Sequence, residues 1–451
     1  MSERTMHDNQ PTAAGAQASA LARARALTAS DTWDLDRRFP IVMDRAHGAH
    51  VFDSDGREYI DFTSCSGAAP LGAGHPAVLE RIIDELGRSG GILPGPISTL
   101  RVDLAERIAS IFPCAQRSTF FRTGSCATTA AVRLARIYTG RRKILSCGFH
   151  GWHDWQLQYR PHLALADRDP DTLDFGYDLA RLDDFGRQLG EVAAVIFTPE
   201  VAVYPLEYAR RLAELTRRHG ALLIVDEVMT GFRYAWGGYH QAAGIEPDII
   251  ALSKGLANGT ALSSVSGRAD VMRATERTYL GNTFQRETTP FAAALATLDV
   301  MADGTTGRRI HAAGRQLMTG LDAVFAETGV NAWVSGSPAM FDVIFEDVSL
   351  GRVFCQNMWA RGFLMQYGGR FMPSMATTDE DIAQALGAAP TALAEAVAEA
   401  DGATGPPVRE PRARSRDDTR YLLAAIAFAA DGFAATERSV REWARLGGPQ
   451  A

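Results

Sequence analysis

The stretch PDIIALSKGLANG, residues 247–259, places a lysine straight after an apolar run and ahead of a cluster of small residues. The run has the length and β-branched content of a buried strand, so Lys254 stands where that strand stops. Working outward, helical stretches such as AVLERIIDELGRSG (77–90) and EYARRLAELTRRHG (207–220) alternate with short β-rich runs, KILSCG, VAAVIFTP and ALLIVDE. From about residue 75 to 330 that alternation predicts βαβ units, hence an α/β fold with a mostly parallel sheet covered by helices. Open sheets of this kind bind ligands beyond the carboxyl ends of their strands, which is where Lys254 lies.

A chain of 451 residues is long enough for a large α/β domain plus a smaller one. Its formal net charge of -7, without a dense Lys/Arg run, argues against a nucleic-acid partner. Five scattered cysteines with no CxxC spacing give neither a disulfide framework nor a zinc site, and point to a reducing, cytoplasmic setting. The first thirty residues lack a signal-peptide core and read as a loose arm. The longest apolar run, YLLAAIAFAA at 421–430, is shorter than the roughly 18 residues a membrane span needs. LGAGHPAV (71–78) lacks the third glycine of a dinucleotide fingerprint, so nicotinamide chemistry is not expected.

A strand-end lysine ordinarily snorkels to water. A desolvated one becomes a nucleophile able to form a Schiff base with an aldehyde, and would then need three helpers: a carboxylate for a ring nitrogen, an anion cradle, and an aromatic cover. ALLIVDEVMTGFR delivers Asp226 at the end of the preceding strand, where it either serves a ring nitrogen or caps the next segment. RTGSCATTAAVRLAR (122–136) sets Gly124 and Ser125 at the start of a helical pattern, a phosphate cradle or an ordinary N-cap. SCGFHGWHDW (146–155) offers Phe149 as a cover. His150 and His153 in the same stretch have no third metal ligand in view, so no metal is expected.

In their order, FRTGSCATTAAVRLAR, FHGWHD, LLIVDEVMTGFR, PDIIALSKGLANG and NTFQRETTPFAAALATL resemble the class III (ω-type) aminotransferases, fold type I pyridoxal-phosphate enzymes. Within that family the resemblance is to the subgroup containing glutamate-1-semialdehyde aminomutase. It implies pyridoxal 5'-phosphate as cofactor and amino-group transfer between an amine or amino acid and a carbonyl compound. Lys254 would carry the internal aldimine and shuttle the proton. Asp226 would pair with the pyridine nitrogen, Val228 would pack on the ring face opposite Phe149, and Gly124 and Ser125 would hold the phosphate. Thr283 would reach the phosphate of a neighbouring subunit, making a homodimer with shared sites the working unit. Arg38, Ser64 and Arg370 are candidates for the substrate pocket, the two arginines for a carboxylate; either arginine is otherwise a surface residue.

The implied domains are a flexible arm over 1–34, the first part of a small domain over 35–74, a large cofactor-binding domain over 75–330, and an α+β remainder of the small domain over 331–400. A linker at 401–418 and a final helix at 419–451 follow. Departures from the family pattern are Cys126 in place of an acidic residue, Thr198 in place of the glutamate of a Glu-Pro pair, and threonines in FMPSMATTDEDI where histidine is usual. The lining Ser64, Cys65, Ser66 is small, which implies a roomy pocket. An aminomutase or racemase on the same scaffold, and a non-catalytic cofactor-binding protein, are the alternatives.

Overall fold

The computed structural model describes residues 16–28, 41–159, 169–202, 204–366 and 370–402. Arg38, the linker from residue 403 onward and the final helix lie outside them. Inside the expected arm, Ala16–Leu27 forms a helix, α1, whose Gln17 backbone N–H donates to Asp55 Oδ1 at 2.9 Å.

Strands β1 (Met43–His47), β2 (His50–Asp53) and β3 (Glu58–Asp61) form an antiparallel meander. The Asp55-Gly56 turn closes its second hairpin because Gly56 takes φ 83°, and Asp53 Oδ1 accepts from the Asp55 and Arg57 amides. Helices α2 (Pro76–Ser89) and α3 (Thr99–Ile111) follow, the first opened by a proline and closed by left-handed Gly90.

The large sheet is built from β4 (Arg117–Phe121), β5 (Lys143–Cys147), β6 (Thr172–Asp174), β7 (Val192–Phe197), β8 (Leu222–Asp226), β9 (Ile249–Leu252) and β10 (Ser263–Gly267). Their spatial order is β4-β10-β9-β8-β7-β5-β6, with β10 antiparallel to both neighbours and the other pairs parallel. Every residue of β7, β8, β9 and β10 is buried, as expected of strands with helices on both faces. The crossovers include α4 (Gly124–Thr139), α5 (Leu179–Leu189) and α6 (Leu206–Arg218). One buried core gathers Leu104, Ile108 and Phe291 with Leu145 and Val225; the opposite face packs Ala131, Leu134 and Ala135 of α4 on Ile144, Ile196 and Ile224.

Helix α7 (Thr289–Met301) leads to the long α8 (Thr305–Thr328), then the hairpin β11 (Ala332–Ser337) and β12 (Met340–Phe345), α9 (Val348–Ala360), the short β13 (Phe363–Leu364) and α10 (Asp379–Gly402). β13 pairs in parallel with β3, joining the late segment to the early meander. A second core forms there, with Ile60 and Phe62 beside Leu317, Leu321, Phe345, Phe354 and Ala389. Apolar burial of this extent, at about 25 cal/mol per Å², is what holds each core against chain entropy.

Candidate active site

The register of the large sheet brings the two sequence candidates of highest interest side by side. Asp226 is the last residue of β8 and faces Ala251 of the parallel neighbour β9. Three residues further on, Lys254 leaves β9 at φ 45° and opens a tight 3-10 turn, Lys254–Ala257. A left-handed backbone at a long side chain costs about 1–2 kcal/mol, and here it bends the chain so that the lysine is half-buried at the strand mouth.

Asp226 is 3% exposed and held at both oxygens. Its Oδ1 accepts from Val228 N at 3.0 Å and its Oδ2 lies 2.8 Å from His150 Nδ1. Glu227 turns to the other side of the strand end, where it is fully buried and accepts from the Tyr239 and His240 amides and pairs with His240 Nδ1 at 2.8 Å. Both acids thus cap backbone amides, Glu227 those of Tyr239 and His240 and Asp226 that of Val228.

Gly124 and Ser125 begin α4, whose N-cap Thr123 accepts from Cys126 N at 3.2 Å. The chain comes so close that a Cβ added at Gly124 would lie 2.8 Å from Val228 Cγ1, and one at Gly151 would lie 2.2 Å from Ser125 Oγ. Gly124, Ser125, Val228, Asp226 and the Phe149-His150-Gly151 loop therefore form one cluster. Phe149 is 52% exposed, although its neighbour His150 is bonded to the buried Asp226. The two histidines go to different partners, His150 to Asp226 and His153 to Thr129 Oγ1 at 2.7 Å.

Thr283 lies apart from this cluster, exposed on a 3-10 turn, Thr283–Arg286. Arg122 secures that turn by donating to the Phe284 carbonyl and pairing with Glu287 at 3.2 Å. Arg370 is engaged by two carboxylates: it pairs with Glu200 and stands 3.8 Å from Asp342. Burial pushes the Asp342 carboxyl up to about 7, against the pull of Arg370. Burial works to lower the Arg370 pKa, but Glu200 and Asp342 outweigh it and hold the guanidinium above its ordinary value.

Ser64 is buried and its hydroxyl donates to the Met372 carbonyl, while Cys65 and Ser66 are the exposed members of the stretch. Ser64, Cys65 and Ser66 all adopt left-handed φ, 46°, 53° and 59°. Asp61 holds this turn, accepting from Thr63 N at 2.7 Å, Thr63 Oγ1 at 2.6 Å and Cys65 N at 3.0 Å. It also faces the buried guanidinium of Arg233, whose pKa burial lowers to about 10 and Asp61 partly restores. Replacing Asp61 with Ala is expected to lower stability by about 2–4 kcal/mol, because three bonds are lost and a buried cation loses its counter-charge. A thermal midpoint equal to that of the parent protein would contradict this.

His150, Thr198 and Asp61 did not emerge as site residues from the sequence. The only signal for His150 was its place beside Phe149, since its partner Asp226 is 76 residues away.

The aminotransferase class III family matches residues 34–159 and 178–393. The chain belongs to the class III aminotransferases. Among curated relatives of this class III aminotransferase, a 2'-deamino-2'-hydroxyneamine transaminase of Streptomyces kanamyceticus is 37% identical over 332 residues, covering 73% of this chain and 84% of the relative. A glutamate-1-semialdehyde 2,1-aminomutase of Methanothrix thermoacetophila is 34% identical over 330 residues, covering 68% and 76%. Among solved structures, the FumI protein of Sphingopyxis sp. MTA144, in its PLP internal aldimine form, superposes with a TM-score of 0.79 at 27% identity, covering 87% of this chain and 98% of that one. The class III aminotransferase uses pyridoxal 5'-phosphate to move an amino group between an amine or amino acid and a carbonyl acceptor. The donor set suits that cofactor: a buried carboxylate, a helix N-terminus with no side chain at Gly124, and a strand-end amine. None of the described helices is long and apolar enough to cross a membrane.

Proposed function

We propose that Lys254 is the residue that bonds to the aldehyde of pyridoxal phosphate and that Asp226 carries the proton partner of its ring nitrogen. The observation that carries this is the pairing of β8 with β9, which sets Asp226 against Ala251 and Lys254 one short step beyond. Bound there, the cofactor supplies an aldehyde for amine exchange and a ring that withdraws electrons from the substrate carbon. Lys254 Nζ then takes a proton from the substrate carbon and returns one to the product side, as a general acid–base held at the strand mouth. Asp226, oriented by His150 and the Val228 amide, would accept the hydrogen bond of a protonated ring nitrogen. Gly124 and Ser125 present free backbone N–H groups of α4 to the phosphate. Val228 and Phe149 cover the two ring faces and keep water out.

The test is spectroscopic. Purified protein loaded with pyridoxal phosphate should show a visible band that an amine substrate converts to the pyridoxamine form. A band that no amine alters would favour a cofactor-binding protein without catalysis. Gly124→Ala is expected to weaken cofactor affinity about ten- to hundred-fold, because its Cβ must displace Val228. Unchanged affinity in an equilibrium titration would remove Gly124 from the cradle.

The working unit we infer is a homodimer in which Thr283 completes the partner's phosphate site. Thr283 is exposed, as are the large apolar side chains of Tyr279 and Phe284 in the same stretch of chain, which supports this reading. Five unpaired cysteines support a cytoplasmic setting. The small exposed side chains of Cys65 and Ser66, together with a relative that acts on a neamine compound, support an amine substrate larger than a simple amino acid. A donor panel from alanine to neamine tests this, and equal rates across it would count against a roomy pocket. Turnover of one added compound without a separate acceptor would shift the reading to an aminomutase, in keeping with the relative of that activity.

A further inference from the structure

The geometry points to Thr198, just beyond the end of β7, as a positioning residue that ties Asp226 and the Phe149 backbone into one rigid unit; this rests on the role proposed for Asp226. The Thr198 hydroxyl oxygen lies 2.8 Å from the Phe149 carbonyl oxygen, 3.1 Å from His150 Nδ1 and 3.3 Å from Asp226 Oδ2. A hydroxyl has one proton to give. The Phe149 carbonyl can only accept, and it makes the shortest contact, so it takes that proton. Thr198 Oγ1 is then an acceptor towards the histidine.

The proton between Thr198 and Asp226 must therefore come from His150. Its Nδ1 is 2.8 Å from Asp226 Oδ2, so one N–H is shared between the carboxylate and the threonine oxygen. This sets the ring with its proton on Nδ1. His150 Nε2 is buried with no hydrogen-bond partner among the described residues, and the imidazole stacks on Trp155 at 5.9 Å between centroids, so Nδ1 makes the ring's polar contacts. The order of donation runs from His150 to Asp226 and Thr198, and from Thr198 to Phe149. Asp226 keeps its orientation, and the residue proposed to cover the cofactor is tethered through its own carbonyl to the same network.

A glutamate at this position, as in the family pattern, can accept from His150 but in its charged form cannot donate to the Phe149 carbonyl. It would also set a second anion beside Asp226. The hydroxyl therefore performs a link that a carboxylate does not, and the tight packing supports it, since a Cβ at Gly148 would lie 2.9 Å from Thr198 Cβ.

The experiment compares full-length wild type, Thr198→Val and Thr198→Ser, each stripped of and then titrated with pyridoxal phosphate. Dissociation constants and the circular dichroism of the cofactor band are read, with thermal midpoints of the stripped proteins as a folding control. Thr198→Val, close to threonine in shape, is expected to bind the cofactor about tenfold more weakly and to show a reduced dichroic band, whereas Thr198→Ser stays within about twofold of wild type. Wild-type affinity and dichroism in Thr198→Val overturn the inference. So does a Thr198→Ser protein as impaired as Thr198→Val, which would assign the effect to methyl packing. A wild type with no cofactor band removable by Lys254→Ala sinks the parent assignment and this one together, while a normal wild-type band with unaltered Thr198→Val defeats Thr198 alone.

Discussion

Lys254→Ala should abolish the visible band of the cofactor-loaded protein and reduce turnover by at least about four powers of ten. The size follows from the two separate tasks given to one ammonium. In the proposed role its neutral amine would be the covalent partner of the aldehyde, open to exchange with an incoming amine. As the proton carrier between two carbon centres it is the general acid–base, a role worth about 10²–10⁴ by itself. The neighbouring residues offer no second amine: Ser253, just beyond β9, donates its hydroxyl to the Leu262 carbonyl, and Gly255, Leu256 and Ala257 follow Lys254. Cofactor should still dock through α4 and Asp226, so the variant is expected to bind it reversibly. A Lys254→Ala protein that kept both the band and the rate would refute the assignment.

Asp226→Ala has the second largest expected effect, a loss of several powers of ten in rate with cofactor retained. The carboxylate is buried, and the opposite charge needed at the ring nitrogen is stabilised far more strongly there than in water. Its removal also strands His150, which would lose its 2.8 Å partner in a site it cannot leave. Asp226→Glu keeps the charge but moves it by one methylene, and is expected to recover only part of the rate. Single-turnover mixing with an amine separates the chemical step from cofactor loss, and near-normal rates in Asp226→Ala would exclude the pairing.

Much of this arrangement was legible because the residues concerned sit at the ends of periodic runs. ALLIVD and PDIIALS read as strands, and the side chains they deliver, Asp226 and Lys254, are where strand ends must put them. Strand order is another matter, since nothing local to β7, β8 or β5 states which of them are neighbours. The contacts of Thr198 with His150 and of His150 with Asp226 span 48 and 76 residues and depend on that order. The antiparallel insertion of β10 between β4 and β9 was illegible for the same reason. Three left-handed residues in succession rotate the Ser64 hydroxyl towards Met372, a turn that no local pattern announces. Arg370 faces two acidic residues remote in sequence, Glu200 and Asp342, a pairing that no local pattern states.

The parallel pairing of β3 with β13 has a consequence for synthesis. The meander is complete by residue 61, yet the strand that covers its open edge is made roughly 300 residues later. At about 5–20 residues per second, a nascent chain carries that bare edge for about 15–60 s. During the interval its exposed amides are a template for the same edge on a neighbouring polysome chain. Shielding of that early hairpin on the ribosome would lower this hazard, which ends once β13 pairs with β3.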